Sequence, residues 1–442
     1  MKYGIVGGGI AGLTAAYRLT QKGHEVALFE ARPQLGGQAG TFEVGGNRLE
    51  VFYHHLFSGD SDVIGLIDEM GLGERMSWRE SKVGFYHGGR IYNFVTPGDL
   101  LRFGAVSPID RVRLGLVGLY LRRQKDWRRY EGVTAQEWIK KWAGKRNYDV
   151  VWGPLLRGKF GSRAGDVSMV WFWGKIFLRF ASRGGGVSQK ERLGYLMGSF
   201  GLLIDALADR LRQAGARVES GRPVERIVVE EGRASGLQLA GGETVPCDAV
   251  IATVPNAAFL EIAPFLPDDY AGLLRKVQYQ WASALVLALK QSLSPIYWLN
   301  ISDPEIPFVG AIEHTNYIEP AQYGGLNVLY LSNYVEDTSP VVGMSIDELS
   351  DYYLPHLTKI NPAFSRDWIV DRWLFKDPAG QPVITTHYGA SIPSHETPVP
   401  GLYLANTTQI YPEDRGLNYS VRLGDKITEI AATHAFPFLQ ET

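Results

Sequence analysis

The residues best suited to chemistry stand within the first thirty. Gly7, Gly9 and Gly12 follow a short apolar run, Tyr3 to Val6, and Glu30 closes a second one, Val26 to Phe29. This spacing suits a dinucleotide. Gly7 allows a tight turn, Gly9 lets the backbone approach a pyrophosphate, and Gly12 lets a helix pack closely on its strand. Ile10 and Ala11 open that helix, whose free N–H groups and positive dipole end face the phosphates. Glu30 is set to accept hydrogen bonds from ribose hydroxyls, with Ala31 directly after it. Glycines alone mark many turns. Strand, helix and acid in register mark a dinucleotide site.

Two more segments extend the pattern. Leu35-Gly36-Gly37-Gln38-Ala39-Gly40-Thr41 follows the acid after a short link, and Asp248 to Ala252 is a buried run ending in Thr253-Val254-Pro255. With the opening, these resemble the three cofactor segments of glutathione-reductase-like FAD proteins. In particular, they resemble the amine oxidase, protoporphyrinogen oxidase and phytoene desaturase superfamily. The resemblance implies FAD, held non-covalently because no His or Cys occupies an attachment position. It sets the Val224 backbone against the adenine. It also makes Pro400 to Ala405, with the helix through Gly424, the last FAD segment, so that Asn406, Asn418, Tyr419 and Ser420 meet the cofactor. The superfamily usually has Arg after the paired glycines, where this chain has Gln38. A neutral amide replaces a charge-assisted contact, so the cofactor is held more weakly or another basic residue takes over.

The elements carrying these segments are scattered along the chain. The expected fold is α/β, or α+β taken over the whole chain. A discontinuous Rossmann-like FAD-binding domain (1–75, 195–257 and 396–442) is interleaved with a substrate domain. That second domain consists of a helical basic insertion, 76–194, and a mixed-sheet segment, 258–395. Helix 202–214 and short strands at Val218, Val224 to Val229, Leu237 to Leu239 and Ala249 to Ala252 are punctuated by Gly215, Gly232 and Gly241-Gly242. Ala282 to Leu289 reads as a strand, and Asn327 to Tyr334 as another.

Composition sets the outer limits. A chain of 442 residues, 45 % hydrophobic and 21 % charged, suits two joined globular domains. A net charge of −2 argues against nucleic acid as a partner. Cys247 is the only cysteine, which excludes an internal disulfide, a redox pair and a thiolate cluster. The histidines outside one cluster show no metal-ligand spacing, so no metal is expected. A cofactor strand starting at Lys2 leaves no room for a signal peptide, so a cytoplasmic location is expected.

Charge is concentrated in one region. Between Asp99 and Arg192, twenty Lys or Arg face eight Asp or Glu, a local excess of +12 within a chain of net −2. Trp127, Trp138, Trp142, Trp152, Trp171, Phe172, Trp173, Phe177 and Phe180 are interleaved. Three readings remain open: a solvated basic face over a Trp-rich core, peripheral contact with an anionic membrane on its inner face, or an anionic-substrate or protein-docking face.

One dinucleotide fingerprint and no redox cysteines mean that electrons pass between substrate and flavin. They then go to oxygen, a quinone or another diffusible acceptor. The flavin carries out the hydride chemistry, and the protein supplies orientation and electrostatics. His54 and His55, in a stretch that passes near the flavin in similar carotene desaturases, are candidate proton acceptors. Side chains alternate along an extended segment, so one of the two at most faces the flavin. Tyr419 is a further candidate at the start of the final helix.

Similar monoamine and polyamine oxidases carry a lysine in the strand corresponding to Trp281 to Val286, where this chain has none. The resemblance therefore points to an FAD-dependent oxidoreductase that desaturates or dehydrogenates a hydrophobic molecule of isoprenoid, lipid or tetrapyrrole kind. The alternative is a flavin-dependent sugar-nucleotide mutase resembling UDP-galactopyranose mutase. In that case Arg157, Arg415 and Tyr411 grip a diphosphate, helped by Lys159, Arg163 and Tyr419.

Overall fold

The computed structural model describes residues 1–94, 96–181 and 192–433. Segments 182–191 and 434–442, which belong to the basic stretch and the last cofactor block, lie outside the described residues, as does the side chain of Phe180.

Period-two alternation organises the first sheet. In strand Lys2–Val6, Tyr3 and Ile5 point to one hydrophobic core and Val6 to another; Val26 and Leu28 part from Ala27 and Phe29 in the same way. Ala249 and Ile251 likewise part from Val250 and Ala252. Five parallel strands form this sheet, in the order Arg217–Ser220, Glu25–Glu30, Lys2–Val6, Ala249–Ala252, Leu402–Leu404. Helices Ile10–Gln21, Gly201–Gln213 and Leu417–Thr433 bury their apolar stripes on one face. The three-stranded antiparallel sheet Val224–Glu230, Arg233–Leu239 and Thr244–Pro246 covers the other with Ile227, Leu237 and Val245. Both faces are covered, which is why the parallel strands read as continuous apolar runs.

A second sheet is mixed. Its seven strands run in the order Ile369–Pro382, Tyr279–Leu289, Asn327–Val335, Gly310–Glu313, Trp298–Ile301, Val83–His87, Arg90–Asn93. Ala284, Val286 and Ala288 face the same core as the first sheet's helices, while Leu285, Leu287 and Leu289 face a core closed by helix Ile346–Tyr353. The fold is the expected α/β arrangement.

The stretch from 76 is not helical throughout. Strands Met76–Glu80, Val83–His87 and Arg90–Asn93 precede its helices, and Val83–His87 pairs in parallel with Trp298–Ile301. Phe85 and Tyr86 are buried on this pairing, a long-range contact that local periodicity does not report. Helices Pro97–Arg102, Pro108–Arg123, Ala135–Trp142, Gly153–Phe160 and Met169–Ala181 follow. Thr96 with Asp99, and Thr134 with Glu137, form capping boxes that fix where two of them begin.

Candidate active site

The glycine turn is built on contacts that side chains would break. Gly7 sits at φ 107° and donates its N–H to the Phe29 carbonyl at 2.9 Å. A Cβ on Gly12 would lie 2.0 Å from the Gly7 carbonyl oxygen, so helix and strand meet there backbone to backbone. At Gly9 a Cβ would have no neighbour within 4 Å, and no side chain caps the helix at this N-cap residue. Gly9 thus borders an open cradle at unpaired helix N–H groups, as a pyrophosphate requires.

The paired glycines close the other side. Gly36, at φ 108°, donates to the Gly8 carbonyl at 2.8 Å, and a Cβ on Gly37 would lie 3.3 Å from Gly9 Cα. Glu30 accepts from Gly8 N at 2.7 Å and Arg32 N at 2.8 Å, which fixes its carboxylate at the strand tip. Thr253 Oγ1 lies 3.1 Å from both the Val6 and Gly7 carbonyl oxygens, joining the Thr253-Val254-Pro255 turn to the glycine turn. Arg222 N donates to the Glu30 carbonyl at 2.9 Å, which brings the start of strand Val224–Glu230 to the same edge. Cradle, acid and glycine approach together suit the dinucleotide expected from the sequence.

A cavity of about 500 Å³ adjoins this edge. One end is aromatic: Tyr53 meets Trp298 edge-on at 4.8 Å and His55 meets Phe57 at 5.3 Å. His54 Nδ1 lies 2.6 Å from the Phe52 carbonyl and His55 Nδ1 3.0 Å from the Tyr297 hydroxyl. Burial pushes the His54 imidazole down to about 4, with Arg415 adding to the effect, so its ring is neutral at neutral pH. Both histidines border the cavity. Val51 to His55 is irregular backbone, so the period of two behind the expectation that at most one of them faces the flavin does not apply there. Asp60 is at this end too; burial raises its carboxyl to about 6, and it accepts from Phe57 N at 2.8 Å.

The other end is charged. Helix Gly153–Phe160 and the turn before it present Trp152, Leu155, Leu156 and Lys159 to the cavity, an i, i+3, i+4, i+7 face. Lys175 joins from helix Met169–Ala181, Tyr334 from strand Asn327–Val335, and Asp414 with Arg415 from the loop before the final helix. Lys159 Nζ lies 3.6 Å from Asp414 Oδ2, and Lys175 pairs with the same oxygen. Trp171 Nε1 and Gln381 Nε2 each donate to Asp414 Oδ1 at 3.0 Å. Burial opposes this carboxylate, yet Lys175, Lys159 and Arg415 hold it well below the usual range. Burial pushes the Lys159 ammonium down, against Asp414. The Tyr334 phenol is also lowered: burial opposes this, and the same three cations outweigh it.

The expected substrate residues divide. Arg415 borders the cavity and donates to Gln381 Oε1 at 3.2 Å, Gln38 Oε1 at 3.0 Å and the Tyr334 hydroxyl at 3.1 Å. Arg157 does not border it: the residue is exposed, on the side of its helix away from Leu155, Leu156 and Lys159. Tyr411 does not border the cavity either; its ring packs on Trp127 at 5.1 Å and Tyr388 at 5.7 Å. Arg163 instead pairs with Asp166 at 2.7 Å.

The residues of the last cofactor segment also differ in role. Tyr419 and Asn418 border the cavity, and Asn418 Oδ1 accepts from the N–H groups of Asp62 and Val63, capping helix Ser61–Glu69. Ser420 continues the first turn of the final helix, its N–H bonded to the Gly416 carbonyl. The Asn406 side chain is turned inward, bonded to Val254 O, Asn256 Oδ1 and Thr408 N. It locks two loops together, and the Asn406 backbone is bonded as well, its N–H to Gln409 Oε1 at 2.9 Å. Lys175, Tyr334 and Tyr53 have no sequence motif of their own. The recurrence of Trp171, Phe172, Lys175 and Ile176 at helical spacing is the one signal of that wall.

The sequence model of the flavin containing amine oxidoreductase family matches residues 10–412. The zeta-carotene desaturase of Synechocystis sp. is 25 % identical over 399 residues, covering 80 % of this chain and 75 % of that protein. The match to the Zea mays zeta-carotene desaturase, 32 % identical over 115 residues, covers only 19 % of that protein. Among solved structures, reduced UDP-galactopyranose mutase superposes with a TM-score of 0.75 at 18 % identity, over 98 % of this chain and 94 % of that one. Cyclohexylamine oxidase from Brevibacterium oxydans superposes with a TM-score of 0.70 at 18 % identity, over 98 % and 99 %. The mutase and the amine oxidase share this fold, and the desaturases are similar in sequence, so overall similarity does not choose among these activities.

Proposed function

This chain belongs to the flavin-containing amine oxidoreductase family and its cofactor is FAD, and from that premise we propose that it desaturates or dehydrogenates a hydrophobic substrate of isoprenoid, lipid or tetrapyrrole kind. One observation carries this reading. The cavity is walled by Phe52, Leu155, Leu156, Phe172 and Trp298, and its cations outnumber its carboxylates. An alkylammonium substrate would meet Lys159, Lys175 and Arg415 as like charges. Ala282 borders the cavity on the strand where amine oxidases carry lysine.

FAD supplies hydride acceptance when bound, and returns the electrons to oxygen, a quinone or another diffusible acceptor. Gly9 and Gly37, with Glu30 and the turn Thr253–Pro255, would hold its pyrophosphate and ribose, and Val224 its adenine. The aromatic wall excludes water and orients the substrate. His54, neutral above about pH 4, or His55 would take the proton leaving carbon. Tyr419 borders the same space and would orient the reacting partners.

The mutase remains a second reading because Arg415, Lys159 and Lys175 could grip a diphosphate. Anaerobic mixing with isoprenoid or lipid substrates, with UDP-sugars and with alkylamines separates the classes. Bleaching of the oxidised flavin by the first group alone is the expected result; bleaching by alkylamines alone would overturn the reading.

We extend the proposal to location: a cytoplasmic protein docked peripherally on an anionic membrane. Ile109, Val112, Leu116 and Tyr120 form an exposed stripe on helix Pro108–Arg123, with Leu101 and Trp142 exposed nearby. Arg102, Arg111, Arg113 and Arg123 lie in the same region. No helix among the described residues is long and apolar enough to cross a membrane.

A further inference from the structure

Three cations meet one carboxylate at the charged end of the cavity. Lys159 and Lys175 share the single carboxylate of Asp414, whose other oxygen is taken by Trp171 and Gln381. The hydrogen bonds of Arg415 to described residues all end on neutral oxygens, those of Gln381, Gln38 and Tyr334. Lys159 and Arg415 also lie over the Tyr334 ring, at 4.9 Å and 5.9 Å from its centre. Cation–π contact softens their charge without cancelling it. Asp60, the other carboxylate lining the cavity, is felt by Asp62 and Arg422 and lies at the aromatic end. The neutral His54 adds no charge.

Local charge is therefore +2 in a space partly closed to water, where uncompensated charge is costly. Exposure grades along the cluster: the Lys175 side chain is 43 % exposed and that of Lys159 18 %. The cations thus run from the solvent edge inward, toward a wall otherwise apolar. Such a site is complementary to a molecule with two unlike ends.

We infer that Lys159, Lys175 and Arg415 form an anion subsite, and that the substrate is an amphiphile with an apolar body and a carboxylate or phosphate end. The inference rests on reading this cavity as the substrate site and adds the class of its polar end. The anion sits between the two ammonium groups and the guanidinium, with the Tyr334 hydroxyl as a further donor. The apolar body extends toward Tyr53, Phe57 and Trp298. Asp414 holds the lysines in place and is not itself a contact to the anion.

Binding to the FAD-loaded protein tests this without any turnover. Dodecanoate, dodecyl phosphate, dodecanol and dodecylamine are titrated while the flavin spectrum and the heat of binding are followed. The expected result is that one or both anions bind at least ~10-fold tighter than dodecanol, with dodecylamine weakest. Lys159→Met and Lys175→Met should remove that preference while dodecanol binding and FAD content stay unchanged. The stronger of the two anions identifies the end group. Equal binding of anions and dodecanol overturns the subsite and leaves the hydrophobic-substrate reading standing. An anion preference that survives in both variants overturns the assignment to these lysines. Loss of FAD from both variants also overturns it, because the cations would then serve the cofactor's own phosphates. If none of the four compounds binds, both the subsite and the cavity reading fall.

Discussion

Arg415 donates to the Gln38 side-chain oxygen at 3.0 Å, joining the loop after the paired glycines to the loop before the final helix. Gln38 in turn donates to the Ala379 carbonyl at 2.9 Å, and Arg32 pairs with Asp377 at 2.8 Å. Three distant segments thus meet beside Gln38, and the Arg415 guanidinium comes to it from the other end of the chain.

Gly9 and Gly12 should fail in different ways. Gly9 has extended backbone at φ −73° and open space, so Gly9→Val should leave the apoprotein folded while excluding the dinucleotide. Gly12→Val drives a side chain into the Gly7 carbonyl and should destabilise the fold by several kcal/mol, on the order of other overpacked sites. Flavin absorbance per protein, set beside thermal melts of the apoproteins, reads the two effects separately.

His54→Ala and His55→Ala should retain FAD. Whichever histidine accepts the proton, its loss should slow flavin reduction by roughly 10²–10⁴-fold. Because the folded His54 imidazole sits near 4, a wild-type rate set by that base should be flat from pH 5 to 8 and fall only in more acid solution. Stopped-flow reduction across pH decides; wild-type rates in both variants would remove the histidines from the chemistry.

Membrane contact should depend on one helical face. Val112→Asp with Leu116→Asp replaces two exposed apolar side chains and should weaken binding to anionic vesicles by about 10-fold or more. Salt should weaken wild-type binding steeply, since each basic residue near the surface contributes about 1 kcal/mol. Co-sedimentation with vesicles at low and high salt checks both.

Glu313 should give stability a downward slope with pH. Burial raises its carboxyl to about 7, against hydrogen bonds from Ser294 N and Leu293 N. A folded pKa above the unfolded value of about 4.3 favours the fold in acid, and this contribution is lost as pH rises through 7. Asp60, raised to about 6, acts with the same sign. Asp414 is depressed and acts oppositely, losing its stabilisation as pH falls below about 4. Glu313→Gln should therefore remove part of the slope, about 1–3 kcal/mol between pH 5 and 8. Urea unfolding at both pH values measures it; an unchanged slope would show that Glu313 titrates normally.

The sequence alone determined whatever local spacing encodes. The turn around Gly7, Gly9 and Gly12 is legible because its requirements are backbone requirements within a few residues. The parallel strands are legible because burial on both faces writes continuous apolar runs. Strand Ala282 to Leu289 is legible for the same reason, its alternate side chains entering two different cores. Tertiary structure decided the rest. Val83–His87 is a strand because a partner more than two hundred residues away completes its hydrogen bonds. Arg157 and Lys159 are two residues apart, yet 3.6 residues per turn puts only Lys159 on the cavity face. Tyr411 was drawn to Trp127, a partner in the basic stretch that no motif announces. The charged end of the cavity draws on two helices, one strand and one loop, so its excess charge exists only once packing has brought Lys159, Lys175 and Arg415 around the single carboxylate of Asp414.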